Sequence, residues 1–420
     1  MVHVFDTAIF RARLRRQGDR LFQIGIRDGR IAEIAERIDG KAATELDAGG
    51  NLVTESFVNP HLHLCKVWTL PMMEEEALKA YQGEGMGRAM TGIELAAKIK
   101  KKYAASWISE NARRAVALAA LHGNLHIRAF ADVDSKARLE GIRALIQIRD
   151  EFRGIVDVQV VAFAQDGIVR EPGAAEMMRE AMELGADVVG GIPWIEFTQG
   201  DAAEHVRICF DLAQQFDKDV SMLLDDAGDA GLRTLEMMAV ETIKRNWHGR
   251  ALAHHCRAMS LYPMPYVERL CRMLKSARVA VVTDPHTGPL HARVKEMLAE
   301  DVRVCLGQDD ISDAYYPFGR NNMLEVAFLA GHLLWMMTRQ EIEQLYDMIT
   351  MDAAAAINLA GFGMTQGAEA NLVVLDYPDV VEALRFHGPP AHVISRGYVL
   401  DQARMRALAP APPIRGTTSQ

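Results

Sequence analysis

From residue 124 onward the chain alternates short apolar runs with longer amphipathic stretches. Asn124 to Val133 reads as a strand and Ser135 to Phe152 as a helix. Val156 to Ala164, Ala186 to Ile192, Asp219 to Leu224, Ala251 to Cys256, Val279 to Thr283 and Val302 to Leu306 read as further strands. Between them, Gly173 to Leu184, Ala202 to Phe216, Gly231 to Asn246, Pro265 to Ser276 and His291 to Ala299 carry apolar residues at helical spacing, and Asn322 to Met337 follows the last strand. With the apolar run Leu52 to Val58, which leads into His61-Leu62-His63, eight strands alternate with helices. That rhythm predicts an α/β fold, a closed parallel (β/α)8 TIM barrel. An open doubly wound sheet would have fewer strands and a Gly-rich first turn, which is absent.

The flanks have a different pattern. Thr7 to Leu14, Leu21 to Arg27 and Arg30 to Ala35 are short alternating runs, with Asp28-Gly29 as a hairpin turn and Glu45 to Asn51 as a second turn. Asn371 to Leu375, His392 to Arg396 and Tyr398 to Leu400 return to β-like composition. Residues 1–56 and 363–406 are therefore expected to form one composite lobe, a small β-sandwich, around a barrel of residues 57–362. The Pro/Ala-rich tail, 407–420, is expected to be disordered. Between residues 72 and 122 the pattern is helical, over Met86 to Lys102 and Ala105 to Leu121. No strand runs into Gly83-Glu84-Gly85-Met86-Gly87, so it reads as a mobile loop over a pocket rather than a nucleotide loop.

Composition narrows the function. A net charge of −9 argues against nucleic acid or an anionic membrane as partner. Lys98, Lys100, Lys101 and Lys102 read as a solvated helix face. Five scattered cysteines without Cys-x-x-Cys exclude a disulfide framework and a zinc-finger site, and fit a reducing compartment. With neither a leader-like N-terminus nor an apolar stretch of about 20 residues, a cytoplasmic homo-oligomer acting on a small molecule is expected. The 22 methionines read as core filler, not a copper site.

In such a barrel the chemistry sits at the C-terminal strand ends. Strand one ends in His61, His63, Cys65 and Lys66, strand two in Asp132 and Asp134, and strand three in Gln165 and Asp166. Strand four ends in Trp194 and Glu196, strand five in Asp225 and Asp226, strand six in His254 and His255, and strand eight in Asp309 and Asp310. On a strand, His61 and His63 share a face, and buried carboxylates in such number call for a cation. His61, His63, His255 and Asp309 are the candidate ligands of one divalent metal ion, zinc or iron. Such an ion lowers the pKa of water from about 16 toward about 7, and Asp309 could serve as base. His254, alternating with His255, should face the helix layer. Lys66 reads equally as a substrate contact or a salt bridge to a rim carboxylate. Asp310 reads equally as a substrate contact or a helix cap.

These residues resemble the cytosine deaminase-like branch of the amidohydrolase superfamily, over nearly the whole chain. The resemblance is carried by Asn59-Pro60-His61-Leu62-His63, by Val160 to Gly167, by Gly185 to Pro193, and by the long segment Gly307-Gln308-Asp309-Asp310-Ile311-Ser312-Asp313-Ala314-Tyr315-Tyr316-Pro317-Phe318-Gly319. Lys66, three residues after His63, is similar to the N-isopropylammelide aminohydrolases of the same branch. The resemblance implies that a ring C–N bond is hydrolysed, by deamination or dealkylamination of a nitrogen heterocycle. It implies that His61, His63, His255 and Asp309 hold the metal, with His255, Asp226 and Asp309 catalytic. Gln165 would contact the ring, Asp310 the substrate or its leaving amine, and Tyr315 would wall the pocket.

The chain departs from that pattern. Leu223 and Asp226 stand where the family has a histidine ligand and a glutamate proton shuttle, and Ala129-Phe130-Ala131-Asp132 replaces Thr-His-Val-Asp. Trp194 stands where a histidine is expected; with Phe130 it would make the pocket more apolar, for a substituted or larger ring. Asp225 and Cys65 are the nearest residues that could compensate for Leu223. Two alternatives follow, a catalytically degenerate binding protein and a hydrolase whose metal is weakly held.

Overall fold

Parallel strands buried on both faces are built from near-continuous apolar runs, and the segment Asn124–Asp132 is buried at every position. The computed structural model describes residues 4–72 and 76–409. Along the chain the strands are β1 (Phe5–Arg13), β2 (Leu21–Arg27), β3 (Arg30–Ala35), β4 (Ala42–Asp47) and β5 (Val53–Glu55). Then come β6 (Phe57–Leu62), β7 (Asn124–Asp132), β8 (Asp157–Phe163), β9 (Val188–Gly191), β10 (Asp219–Leu224), β11 (Ala251–His255), β12 (Ala280–Thr283) and β13 (Val304–Leu306). The last are β14 (Leu372–Val374), β15 (His392–Ser395) and β16 (Tyr398–Val399). Strands β6 to β13 lie side by side in chain order as one eight-stranded parallel sheet, the expected barrel. Helices cover it with apolar stripes; Val267, Leu270, Cys271 and Leu274 form the buried face of Met264–Ala277.

Two four-stranded sheets stand beside the barrel, ordered β3-β2-β1-β4 and β16-β15-β14-β5. Ile9, Ile24 and Ile26 pack with Val53, Leu372, Val374 and Ile394, so apolar side chains from both chain ends meet in one cluster. Asp28 and Gly29 have φ of 52° and 73°, the left-handed pair that a tight hairpin needs.

Several expectations are corrected. The turn read at Glu45 to Asn51 begins as strand β4, which pairs in parallel with β1. Met86 to Lys102 is not one helix: a 3-10 turn at Glu84–Met86 precedes helix Ala89–Ala96, and Ala97–Lys102 is again 3-10. The glycine loop packs closely, Met86 O accepting the Gly228 N–H at 3.2 Å. Helices Arg339–Asp347, Met351–Ala356 and Val380–Phe386 were not read, and helix Gln402–Leu408 enters the segment expected to be disordered. Residues 410–420 of that tail lie outside the described residues. Among the described residues no helix is long and apolar enough to cross a membrane.

The barrel closes where β13 returns to β6, through a parallel bridge between Leu62 and Asp309. Asp309 N–H donates to His61 O at 2.9 Å, and His63 N–H donates to Asp309 O at 2.8 Å. Gly307 sits beneath this seam, where an added Cβ would lie 2.7 Å from His61 Cβ. Gly307→Ala is expected to cost about 1–3 kcal/mol, the range for overpacking a filled interior. The check is the urea unfolding midpoint; a midpoint equal to that of the parent would show that the seam accommodates a methyl group.

Candidate active site

The histidine pair ends strand β6 with both rings buried, 5.0 Å apart and nearly perpendicular. His61 Nε2 lies 2.9 Å from Asp309 Oδ1, and His63 Nε2 lies 3.8 Å from the same oxygen. His255 ends β11 in the left-handed region, φ 65°, as does Asp309 at φ 66°. That conformation is uncommon for residues other than glycine, and at His255 it ends the strand alternation. His254 consequently does not face the helix layer. Its ring lies 4.5 Å from that of His61, and its Nε2 pairs with Ser221 Oγ at 3.1 Å.

Possible donor atoms of His61, His255 and Asp309 lie within 4.8 Å of one another, as do those of His63, Asp309 and Asp310. Asp309 is common to both groups. Burial holds the His61 imidazole below its ordinary pKa, and holds that of His63 well below, aided by Lys66. In both rings burial thus favours the neutral form, and both keep a buried Nδ1 with no partner. Neutral imidazoles beside a carboxylate suit a borderline divalent ion, so these residues fit one.

Neither proposed substitute for Leu223 is free to act. Asp225 accepts hydrogen bonds from Thr234 N–H, Thr234 Oγ1–H and Tyr262 O–H. Cys65 Sγ accepts Asp132 N–H at 3.4 Å, and burial pushes its thiol far up. Leu223 itself is buried and lines the cavity.

Two charged residues at the site were not identified from the sequence. Asp284 directly follows β12, the one strand end left out of the reading, and His255 Nδ1 pairs with its Oδ1 at 2.8 Å. Arg257, only 1% exposed, bonds Asp284 Oδ2 and Thr287 Oγ1. It also donates to Tyr81 Oη at 2.8 Å, and lies 3.1 Å from Asp226 Oδ1 and 3.6 Å from Asp309 Oδ2. Tyr81 O–H in turn donates to Asp226 Oδ2 at 3.2 Å. Burial pulls His255 down, but Asp226, Asp284 and Asp309 together push it up to about 9. Burial pushes the Asp226 carboxyl up, against His255 and Arg257.

Opposite this ionic group, Lys66 Nζ donates to Gln165 Oε1 at 2.7 Å, and Gln165 Nε2 donates to Tyr315 Oη at 3.0 Å. Lys66 lies over the Tyr315 ring, 4.5 Å from its centre, and has no salt bridge to a rim carboxylate among the described residues. Asp310 is buried with Oδ1 unpartnered, and burial, Asp309 and Asp313 push its carboxyl well up. It caps no helix; Asn322 caps the next one. Trp194 is not among the cavity-lining residues and packs against the apolar cluster behind Ile192. The free volume is about 10 Å³, room for one water.

Among the other rim carboxylates, Asp134, Asp166 and Glu196 are satisfied elsewhere, and Asp132 accepts Tyr103 O–H on Oδ2 while its Oδ1 has no partner. Lys100 is buried, not solvated, and bonds Asp134 at 2.8 Å and Asp166 at 2.6 Å. Glu196 accepts three backbone N–H groups, from Ile168, Val169 and Arg170. A larger cleft, about 970 Å³, lies away from the barrel's C-terminal strand ends; Arg13, Arg15 and Arg16 on its wall are paired with carboxylates, and no histidine lines it.

The chain is similar to N-isopropylammelide isopropyl amidohydrolase of Pseudomonas sp. (strain ADP), with 28% identity over 89% of this chain and 91% of the relative. The solved structure of 5-methylcytosine deaminase from Klebsiella pneumoniae, liganded with 5-fluorocytosine, matches with a TM-score of 0.85 and 30% identity over 94% of this chain and 97% of the other. N-isopropylammelide isopropylaminohydrolase from Burkholderia multivorans shares the fold, with a TM-score of 0.81 and 23% identity over 94% of this chain and 98% of the other. The model of the amidohydrolase family matches residues 44–401. With barrel, strand-end histidines and closing aspartate in place, the chain belongs to the amidohydrolase family, hydrolases of carbon–nitrogen bonds other than peptide bonds.

Proposed function

We propose that this chain removes ammonia or an alkylamine from a ring carbon of a small nitrogen heterocycle, using a divalent metal ion. The observation that carries this reading is the convergence of His61, His255 and Asp309, with His63 sharing the Asp309 carboxylate. His61, His63, His255 and Asp309 would hold the ion, zinc or ferrous iron. Such an ion supplies the Lewis acidity that makes water a nucleophile near neutral pH.

The chain's own residues account for the other parts of the reaction. Lys66, with one ammonium N–H on Gln165, keeps donors for an exocyclic ring oxygen, and Gln165 fixes the ring plane against Tyr315. Asp310, whose carboxyl burial, Asp309 and Asp313 push well up, could donate its proton to a ring nitrogen. Asp226, whose carboxyl is pushed up and steadied by Tyr81, is placed to carry a proton to the departing nitrogen. Phe130 and Phe163 pack against the histidine pair and keep that side apolar. The cavity is too small for a heterocycle as it stands, so the side chains lining it must rearrange to admit one.

Ammonia or amine release from a panel of aminopyrimidines and alkylamino-triazines, with added zinc or ferrous ion, is expected to find a substrate. Asp226→Asn should lower kcat by about 10²–10⁴-fold, and Lys66→Met should mainly raise KM. Turnover that survives exhaustive chelation would overturn the metal part of the reading. Leu223, an apolar residue in a ligand position, is the observation that favours a silent binding protein instead. The double variant Leu223→His, Asp226→Glu decides between the two: the parent is expected to turn over already, and activity appearing only in the double variant would reverse the assignment.

A further inference from the structure

Beside the proposed metal ligands the chain has one cation more than a site built for a tightly held ion needs, and Leu223 stands where the resembled family has a further donor. Asp226, Asp284 and Asp309 are all buried, and buried carboxylates without a partner are costly. A divalent ion would offset them. Arg257 does so already. Its guanidinium bonds Asp284 and lies 3.1 Å from Asp226 and 3.6 Å from Asp309 Oδ2. The Asp309 carboxylate is thereby divided: Oδ1 faces His61 and His63, while Oδ2 accepts Thr287 O–H at 3.0 Å and faces Arg257. On the β10 side Leu223 offers no donor to replace what the guanidinium takes. A fixed positive charge so close to a divalent ion repels it, and the repulsion is little screened in a buried site.

We propose that Arg257 is a built-in counter-cation that competes with the divalent ion for Asp309, so that the site binds metal as an exchangeable rather than a resident cofactor. This rests on the metal reading above and adds how firmly the ion is held. The sign of the effect separates it from a scaffolding role. A merely structural arginine orients Asp284, which in turn orients His255, so removing it would weaken metal binding. A competing arginine, once neutralised, strengthens it.

The experiment is zinc affinity, measured by competition with a chromophoric chelator on the full chain, for the parent, Arg257→Met and Arg257→Lys. Folding is checked by circular dichroism, and melting temperature is read with and without zinc. Arg257→Met is expected to bind zinc about tenfold or more tightly than the parent, through relief of like-charge repulsion. Its zinc-induced rise in Tm should be correspondingly larger, while Arg257→Lys, which keeps the charge, stays near the parent. If Arg257→Met does not fold, Arg257→Gln, which keeps an N–H donor toward Asp284, replaces it in the same comparison. Equal or weaker zinc binding by the neutral variant, with parent binding intact, overturns the role of Arg257 alone. No zinc binding by either protein overturns it together with the metal reading.

Discussion

Two backbone hydrogen bonds hold the site together, Asp309 N–H to His61 O and His63 N–H to Asp309 O. They close the barrel between its first and last strands, and they also bring together a carboxylate and two imidazoles that lie 248 residues apart at His61 and Asp309. The side chains therefore converge through the ladder itself and need no separate loop ordering. The site is as rigid as the barrel seam, and anything that opens the seam disassembles the site. Gly307 shows how little slack there is, since the chain passes His61 at a distance that only a hydrogen can fill.

Charge is distributed over the rim in two separate ways. Around the ends of β7 and β8, Lys100 and Lys136 bond Asp134 and Asp166, giving a closed network whose members are used up in holding the loops. Around β11 and β12, Arg257 and His255 face Asp226, Asp284 and Asp309, and that group borders the cavity. From the sequence alone the two groups look alike, as carboxylates at strand ends. Which lysine or arginine reaches which carboxylate is set by tertiary packing, and that alone sorts structural from reactive positions.

The period-two histidine pair and the eight-fold rhythm were legible because each is a local pattern with a local cause. Arg257 and Asp284 were not, because they are separated by 27 residues and Asp284-Pro285 reads as an ordinary turn. His254 was misplaced because strand alternation assumes extended backbone, and the left-handed turn at His255 cannot be seen in the side-chain pattern. Helix Arg339–Asp347 did have a signal: Thr338 and Glu341 form a capping box. It went unread because the preceding helical stretch was carried through Met337, past its observed end at Leu333.

The same packing gives the candidate centre two unlike halves. On one side His61 lies edge-on to Phe130 and His63 is tilted against Phe163, with ring centres 4.6 Å apart for His61–Phe130 and 5.4 Å apart for His63–Phe163. This apolar surrounding disfavours charge on the imidazoles and leaves their lone pairs available. On the other side three carboxylates push His255 up to about 9 and hold Arg257 in place. Asp309 lies on the boundary, with one oxygen toward each half. A neutral half suits donation to a cation and stacking of a flat ring, and an ionic half suits movement of protons to a leaving nitrogen. The proposed hydrolysis of a ring C–N bond would need both at once, and a single carboxylate shared between them would couple the two.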